Sequence, residues 1–447
     1  MNDMTQKLDL KTKFLMGVTL FSMFFGAGNL IFPPYLGAQA GTAAVPAFIG
    51  FVLSAVGLPV LGVIAVTMSG GLSTLASRVH PKFAFVYIAV LYLAIGPCLA
   101  IPRTASTSFS MAGPPFLPES VPEAPVQLLY TVVFFIAASL VAMHPEKLTE
   151  YLGKRLTPGL LVLIAALFIA AVINPAGTAA PPADIYAQAA PVEGFLYGYQ
   201  TMDTLAALNF GMIVAINVQE RGVREEKAVT KETIFAGWIA GALLLVIYAM
   251  LTFVGRLSGT AFPGTANGTE VLMRMAEYLF GKAGAVILAF IFVIACFNTC
   301  VGLLSCCGKY FNGCFPKISY RAWVWSFAAI SALLANVGLD AILKFSVPVL
   351  NAIYPLAILL IILAFLRKAL ERFPAVYPFA AFFCGISSVL TVLEQQGLMF
   401  SAGSQLLHLI PAYEAGFGWA LPTVIGALAG ILWNGLRDRA RAEKIRR

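Results

Sequence analysis

Charged residues are scarce in this sequence. They make up 11% of its 447 residues, whereas a soluble globular domain carries about 25%. The longest stretch without one, residues 14–77, runs for 64 residues, and a single membrane-spanning helix needs only about 20. Hydrophobic residues make up 60% of the chain. This composition excludes a soluble protein and predicts an integral membrane protein.

The residue patterns of enzymatic sites are also missing. Only three histidines occur, and none has a cysteine, aspartate or glutamate nearby at the spacing of metal ligands. No glycine loop of the Walker type is present, which argues against direct use of ATP. The seven cysteines lie in or near apolar runs, where reduced packing residues are expected rather than disulfides. The sequence therefore predicts neither an enzyme nor a cofactor.

Ten further apolar runs follow the first one, which is itself long enough for two crossings. They are residues 83–102, 124–143, 156–183, 194–219, 233–255, 283–308, 322–339, 345–366, 373–393 and 415–436. These runs exceed the strands of an outer-membrane barrel, so the spans are helices. We predict an all-α polytopic membrane protein with about twelve transmembrane helices.

Basic residues alternate between the two sides of these crossings. The N-terminal segment, every second loop and the C-terminal tail hold 24 of the 29 lysines and arginines. The five on the other face are Arg103, Arg256, Arg274, Lys282 and Lys344. Because basic residues collect on the cytoplasmic side, both termini are predicted to be cytoplasmic. The basic tail is expected to contact anionic lipid, and no aromatic-interleaved basic segment indicates a nucleic acid partner.

The segment FFGAGNLIFPPYLG, residues 24–37, places helix-weakening residues inside the first crossing. Gly26, Gly28 and Asn29 are followed there by two prolines. If the helix breaks at these glycines, the amides that start its second half suit a carboxylate, and the carbonyls that end its first half suit a cation or an ammonium group. Alternatively, the glycines are helix contact residues and the prolines only bend or end the helix.

The segment GYQTMDT, residues 198–204, interrupts the sixth crossing in a similar way. Five crossings separate the two breaks, and because five is odd, a five-helix repeat must return inverted. Two broken helices at corresponding places in inverted halves are typical of a secondary transporter whose site lies at the bilayer midplane. Asp203 is placed there as a cation ligand, a proton carrier or an ammonium partner. The alternative role for Asp203 is a cap on the second half of the helix.

The eighth crossing carries two polar residues, Asn298 and Thr299, in an apolar run. Their oxygens can complete a sodium site with the carbonyls of the first crossing, because a hard cation prefers oxygen ligands. The alternative is a hydrogen bond between helices. Residues 270–278, which precede this crossing, predict a short surface helix.

Four segments, taken in order, resemble a known family. They are FFGAGNLIFPPYLG (24–37), GPCLAIPRTAS (96–106), GYQTMDTLAAL (198–208) and ACFNTCVGL (295–303). The chain is similar over nearly its whole length to the bacterial branched-chain amino acid carriers of the branched-chain amino acid:cation symporter family. The resemblance implies sodium-coupled import of leucine, isoleucine and valine across the bacterial cytoplasmic membrane by alternating access. It also implies a LeuT-like core of two inverted five-helix repeats, broken in helices one and six, with two peripheral helices.

The resemblance assigns site residues as well. Substrate contacts fall at Phe24, Gly26, Ala27, Gly28, Asn29, Asp203, Thr204 and Leu205. Sodium is expected at the carbonyls of Ser22 and Phe25 with Thr299, and at Asn298 if its side chain points inward. LeuT-like carriers often have two neighbouring hydroxyls where this chain has Asn298 before Thr299. The preference for sodium over protons therefore stays open, and Asp203 is the natural proton carrier.

The repeats divide the chain into five segments. They are a cytoplasmic N-terminus (1–13), a first repeat (14–173), a second repeat (174–366), two additional helices (367–436) and a basic tail (437–447). The expected partners are the amino acid, sodium and membrane lipid, without an obligate protein partner. One alternative is a transporter of another substrate, such as an aromatic amino acid or a nucleobase. A second is a nutrient receptor or channel without coupled transport.

Overall fold

The computed structural model describes residues 8–118, 120–144, 157–399 and 401–446. Within these ranges every regular element is a helix and no strand occurs, so the prediction of an all-α protein is confirmed. Residues 1–7 of the predicted N-terminal segment and Arg447 of the predicted tail lie outside the described residues.

The α-helices of the described ranges are numbered α1 to α20 in chain order. They are Leu10–Phe24, Ala27–Ala40, Ala44–Val52, Leu58–Met68, Leu72–Ser77, Pro81–Leu93, Ala100–Ala112, Glu123–Ala142, Thr157–Ile173, Asp184–Gly198, Asp203–Glu220, Glu226–Ser258, Gly268–Phe280, Lys282–Cys314, Tyr320–Ala335, Leu339–Phe365, Arg367–Leu370, Val376–Gln395, Ser401–His408 and Ala420–Arg446. Helix α13 corresponds to the short helix predicted at residues 270–278.

Seven helical spans of the described chain are long and apolar enough to cross a membrane. An eighth is the broken pair α10 and α11, which bends by 48°. Every predicted apolar run overlaps at least one helix, but α1, α9 and α15 have only 15, 17 and 16 residues. The multi-pass organisation is confirmed, whereas the count of twelve crossings stays a prediction.

The two prolines of the first crossing do not end its helix. Helix α2 continues through Pro33 and Pro34 to Ala40. It ends at Gly41, whose φ of 50° lies in the left-handed region that favours glycine. The break in this crossing lies further towards the N-terminus, between α1 and α2.

Glycines allow the two broken crossings to pack closely on their neighbours. A Cβ added to Gly37 of α2 would lie 2.0 Å from a backbone oxygen of α12, and one added to Gly255 of α12 would lie 1.9 Å from a backbone oxygen of α2. Gly50 of α3 and Gly194 of α10 form the same kind of reciprocal pair, at 1.8 and 1.9 Å. Helix α2 thus packs on α12 and α10 packs on α3, which is the reciprocal pattern that an inverted repeat predicts.

The helices form two compact units, one of Met1–Ile64 with Tyr92–Lys344 and one of Ala65–Leu91 with Phe345–Arg447. Their boundaries differ from those of the predicted segments, since the second unit combines residues 367–436 with parts of both repeats. In this second unit α18 packs on α20. Its buried core consists of Leu359, Leu363, Val376, Tyr377, Ala380, Ala381 and Cys384.

His408 of the second unit lies between two carboxylates. Its Nδ1 is 2.5 Å from Glu414 Oε1 and its Nε2 is 3.2 Å from Glu394 Oε1. Glu394 also accepts hydrogen bonds from Tyr413 and Ser404. Hydrogen bonding to Glu414, and to a smaller extent to Glu394, raises the pKa of His408 above its ordinary value.

We predict that His408 makes the stability of the protein depend on pH. Because its pKa is raised in the folded chain, the protonated imidazole stabilises the fold fully below a pH of about 6.5, and this contribution is lost as pH rises through the raised pKa. Thermal unfolding of the purified protein between about pH 5 and pH 9 should therefore show a midpoint temperature that falls as pH rises. His408→Gln should remove this part of the dependence, while the control His80→Gln should retain it. Equal pH slopes for His408→Gln and the unmodified protein would contradict the assignment.

Candidate functional site

The two breaks face one small cavity in the first compact unit. Its walls come from the ends of α1 and α2, from the segment between α10 and α11, and from α7 and α14. The cavity volume is about 20 Å³, which is room for about one water molecule. The residues that line it include Met23, Phe24, Gly26, Ala27, Gly28, Asn29, Ile95, Arg103, Met202, Asp203, Ala206, Phe210, Thr299 and Leu303.

The break in the first crossing is stabilised by the side chain of Asn29. In a continuous helix the Gly26 amide would donate to the carbonyl of Ser22, but here it donates to Asn29 Oδ1 at 3.1 Å. Gly26 has extended backbone angles, φ −132° and ψ −152°. Helix α2 restarts at Ala27, so the first amides of a half-helix lie at the cavity and provide partial positive charge for an anion.

The break in the sixth crossing turns at Met202. This residue has φ 65° and ψ 8°, a left-handed conformation that is unusual for a residue other than glycine. Such strained residues cluster at ligand sites. Helix α11 begins at the next residue, Asp203, and only 2% of the surface of Asp203 is exposed.

Asp203 connects the two broken crossings to α12. Its Oδ2 accepts hydrogen bonds from Asn29 Nδ2 at 2.6 Å and from the Tyr248 hydroxyl at 2.7 Å. Asn29 Nδ2 also contacts the Tyr248 oxygen. The amide of Ala206 donates to the Met202 carbonyl, so the geometry favours a carboxylate that binds side chains over the alternative of a helix cap.

A buried cation lies at the same cavity. Arg103 of α7 is 3% exposed, its Nη1 donates to the Gln200 carbonyl at 2.9 Å, and its guanidinium carbon lies 5.5 Å from the centre of the Phe32 ring. A Cβ on Gly28 would lie 2.8 Å from Arg103 Nη2, so glycine leaves room for the guanidinium. The cavity therefore combines a buried positive and a buried negative side chain.

Sequence reasoning missed Arg103 and Tyr248 as site residues. Arg103 was assigned to the predicted external face, although it belongs to the segment GPCLAIPRTAS. A π-helical stretch, Ala94–Cys98, overlaps the start of that segment, and Gly96 within it has non-helical angles. The combination of glycine and proline just before an arginine was the available signal for a third interrupted helix. Tyr248 lies in an apolar crossing and gave no comparable signal.

Six of the eight predicted substrate residues line the cavity, namely Phe24, Gly26, Ala27, Gly28, Asn29 and Asp203. Thr204 and Leu205 do not. The Thr204 hydroxyl donates to the Ser54 carbonyl at 3.3 Å, and Leu205 is fully buried away from the cavity. Successive helical residues turn by about 100°, so the face that starts at Asp203 continues with Ala206 and Phe210. Ala206 and Phe210 line the cavity, and substrate contact by Thr204 and Leu205 stays a prediction.

Of the predicted sodium ligands, Thr299 lines the cavity. Its hydroxyl donates to the Met23 carbonyl at 3.2 Å, whereas the prediction named the carbonyls of Ser22 and Phe25. Neither Ser22, Phe25 nor Asn298 lines the cavity. Asn298 is fully buried, and its side-chain amide has no hydrogen-bond partner in the described part of the chain. Neighbouring residues of a helix diverge by about 100°, and of these two residues of α14 it is Thr299 that lines the cavity.

We predict that Gly26→Ala destabilises the protein. The added Cβ would lie 2.5 Å from Thr299 Oγ1 and 2.7 Å from Thr299 Cβ, so α1 and α14 must separate, and overpacking costs about 1–3 kcal/mol. Denaturant unfolding measures the loss. The control is Gly313→Ala in α14, where nothing lies within 4 Å of the added atom. Adding Thr299→Ala to Gly26→Ala should restore part of the stability. If Gly26→Ala alone leaves the stability unchanged, the contact between the first crossing and α14 is loose and the prediction is wrong.

Comparisons with known proteins agree with this architecture. A family model described as "Branched-chain amino acid transport protein" matches residues 9–437. The branched-chain amino acid permease BraB of Bacillus subtilis is 39% identical over 431 residues and 96% of each chain. The permease BrnQ of Escherichia coli is 36% identical over 99% of each chain.

Two solved structures share the fold of this chain. MHP1, a nucleobase-cation-symport-1 family transporter solved in a closed conformation with bromovinylhydantoin bound, aligns with a TM-score of 0.65 at 12% identity. The alignment covers 98% of this chain and 96% of that one. A manganese transporter mutant of Eremococcus coleocola aligns with a TM-score of 0.55 at 13% identity, over 94% and 96% of the two chains. These likenesses concern the fold, whereas the family match and the permease relatives show that the chain belongs to the branched-chain amino acid transport protein family.

Proposed function

We propose that this chain imports leucine, isoleucine and valine together with sodium by alternating access. The observation that carries the proposal is that a buried guanidinium, Arg103, and a buried carboxylate, Asp203, line one cavity together with the ends of the half-helices. The description of the family and the names of the permease relatives support the substrate class. Both termini are proposed to be cytoplasmic, on the basis of the basic loops.

A zwitterionic amino acid complements this arrangement. Its carboxylate would bind the first amides of α2 and the guanidinium of Arg103, because charge-assisted hydrogen bonds are strong in a buried site. Its ammonium group would bind Asp203. The aliphatic side chain would lie against Phe24, Ala206 and Phe210, which offer apolar contact and no partner for a polar side chain. Arg103 and Asp203, the two charged residues that line the cavity, would then each meet an opposite charge on the substrate.

The size of the cavity requires a conformational change. Leucine needs far more space than the volume of about 20 Å³ between the lining residues, since ligand sites for small molecules are commonly about 300 Å³ or more. Arg103 holds α7 to both broken crossings, through the Gln200 carbonyl and the Phe32 ring. Opening the cavity would break these two contacts. Hydrogen bonds from Arg103 to the carboxylate of a bound substrate would replace them. This linkage is the proposed basis of alternating access.

Sodium is proposed to bind where α14 meets the end of α1. Thr299 Oγ1 and the Met23 carbonyl lie within 3.2 Å of each other there, and both are oxygen ligands of the type that a hard cation prefers. The carbonyls of Ser22 and Phe25 and the side chain of Asn298 remain predictions for the same site. An ion at this position would connect the moving first crossing to α14.

Proton coupling is the alternative that a specific observation favours. Asp203 is buried, and Oδ2 accepts hydrogen bonds from two neutral donors, Asn29 and Tyr248. A buried carboxylate of this kind can carry a proton through a transport cycle.

Other substrates on the same scaffold are less favoured, because a nucleobase would leave the Arg103 and Asp203 charges without the matching pair that an α-amino acid provides.

We predict leucine accumulation in proteoliposomes when an inward sodium gradient is imposed. Coupled symport concentrates leucine inside, whereas a receptor transports none and a channel cannot concentrate it. Radiolabelled leucine uptake measures the accumulation, with an imposed proton gradient in sodium-free buffer as the matched condition. Full accumulation from the proton gradient alone, without any effect of sodium, would replace sodium by the proton as the coupling ion.

Thr299 variants locate the ion in the same assay. Thr299→Ala should raise the sodium concentration for half-maximal uptake more than it raises the KM for leucine, because it removes an oxygen ligand. Thr299→Ser keeps the oxygen and serves as the control. Unchanged sodium dependence in Thr299→Ala would remove Thr299 from the site while leaving the substrate assignment intact.

We predict that Arg103 recognises the carboxylate of the substrate. Replacing it by glutamine should raise the KM for leucine about 10- to 100-fold, since hydrogen bonds to charged groups contribute about 1.5–3 kcal/mol. Leucinol, which lacks the carboxylate, should compete poorly with leucine in the unmodified protein. In Arg103→Gln this discrimination should shrink, and in Arg103→Lys it should be largely retained. Equal discrimination in Arg103→Gln and the unmodified protein would show that Arg103 acts only in packing.

A further inference from the structure

An ion pair outside the central cavity joins the first half of the first crossing to α12. Lys13 Nζ of α1 lies 2.8 Å from Glu232 Oε1 of α12. The same ammonium group lies 5.8 Å from the centre of the Phe235 ring, which is one turn further along α12. The side chain of Glu232 is 6% exposed and that of Lys13 is 22% exposed. Neither residue lines the central cavity, so the proposed transport site does not account for this buried pair.

The carboxylate of Glu232 is satisfied on one side only. Its second oxygen, Oε2, is buried and has no hydrogen-bond partner among the described residues. Charges removed from water lose their hydration, and their mutual attraction offsets this loss only when all their polar atoms find partners. Separation of Lys13 from Glu232 would lose the ion pair, but it would let water reach both carboxylate oxygens and the ammonium group. The cost of breaking the pair is therefore partly offset, as a contact that opens and closes requires.

Helix α12 contacts the two halves of the first crossing in different ways. It packs on α2 backbone to backbone, through Gly37 and Gly255. It packs on α1 through side chains, namely the ion pair and the Ile239 side chain, which lies 2.5 Å from the position of an added Cβ on Gly17. Side chains can change rotamer when helices move, whereas two backbones in contact have no such freedom. Helix α1 is therefore the half that can leave α12 while α2 stays attached.

The break between α1 and α2 provides the joint for such a movement. Phe25 and Gly26 both have extended backbone angles, and the Gly26 amide donates to the Asn29 side chain rather than to the carbonyl of the preceding turn. An α-helix rises about 1.5 Å per residue, so Lys13 lies about 18 Å from Phe25, and a rotation of about 20° at the break would move Lys13 by about 6 Å. A small rotation of α1 is thus enough to separate the ion pair.

We propose that the ion pair of Lys13 and Glu232 is a latch that keeps the central cavity closed on the side of the N-terminus. When the latch opens, α1 rotates away from α12 about Phe25 and Gly26, and the wall that α1 gives to the cavity moves with it. In the proposed orientation this is the cytoplasmic side, where the substrate is released. The inference rests on the alternating access of the proposed function, and it adds the contact that controls the inner opening.

The accessibility of position 23 tests the latch. Met23 belongs to α1, lines the cavity and is 1% exposed, so Met23→Cys should react slowly with a membrane-impermeant maleimide. Mass spectrometry of the peptide that contains position 23 measures this labelling separately from that of the seven native cysteines. Adding Lys13→Gln/Glu232→Gln should accelerate the labelling about 10-fold in inverted membrane vesicles, which corresponds to about 1.4 kcal/mol between the closed and the open state. In intact cells, where the reagent is outside, the rate should not change.

Two controls distinguish a latch from a general effect of the substitutions. Lys11→Gln/Glu226→Gln removes the same two charges from exposed positions of α1 and α12, and it should leave the labelling rate unchanged. The native thiol of Cys384 is fully buried in the core of the second compact unit, so its labelling reports a loss of the fold.

Four results would overturn the latch. They are an unchanged rate in Lys13→Gln/Glu232→Gln vesicles, acceleration in intact cells alone, an equal acceleration by the control variant, and labelling of Cys384 as fast as that of position 23. The last result would make the ion pair a purely structural contact. The labelling needs neither leucine nor sodium, so a failure of leucine accumulation in the unmodified protein would refute the proposed function without deciding the labelling result.

Discussion

One side chain, Asn29, holds the two broken crossings together. Its oxygen accepts the hydrogen bond of the Gly26 amide, and its nitrogen donates to the Asp203 carboxylate. In hydrocarbon an unpaired backbone donor costs several kcal/mol, so a break in a membrane helix needs such a substitute partner. A side-chain amide can accept through its oxygen and donate through its nitrogen at the same time. The break of the first crossing and the start of α11 are therefore fixed relative to each other by a single residue.

The broken crossings are also tied to helices that are continuous at the contact. Tyr248 of α12 donates to Asp203, Arg103 of α7 donates to the Gln200 carbonyl, and Thr299 of α14 donates to the Met23 carbonyl. Each contact joins a break to a different neighbour. A substrate that replaces one of them, or an ion that replaces another, changes how a broken crossing is attached to the rest of the bundle. This gives a physical route from binding to movement.

The sequence was sufficient to predict where the two crossings break. It was insufficient to predict which residues of the neighbouring helices face the cavity. Glycine, asparagine and aspartate in apolar runs predicted both breaks, because backbone and charge are costly in a membrane. The family resemblance assigned Thr204 and Leu205 to the site. Which residues of α11 face the cavity depends on the left-handed turn at Met202, and no sequence pattern predicts that turn. Arg103 was missed because its inward position follows from the π-helical stretch at Gly96. The two compact units depend on packing between distant helices, which local patterns do not encode.

The two candidate coupling ions would act on the same contacts in different ways. The Thr299 hydroxyl uses its hydrogen to bond the Met23 carbonyl, whereas both oxygens would have to face a sodium ion with lone pairs. Sodium and this hydrogen bond therefore exclude each other, and the ion would replace a direct contact between α1 and α14 by a coordinated one. A proton on Asp203 would instead remove the charge that Asn29 and Tyr248 donate to, and it would weaken the connection between the breaks and α12. Sodium would thus change how the first crossing is attached to α14. A proton would change how both broken crossings are attached to α12.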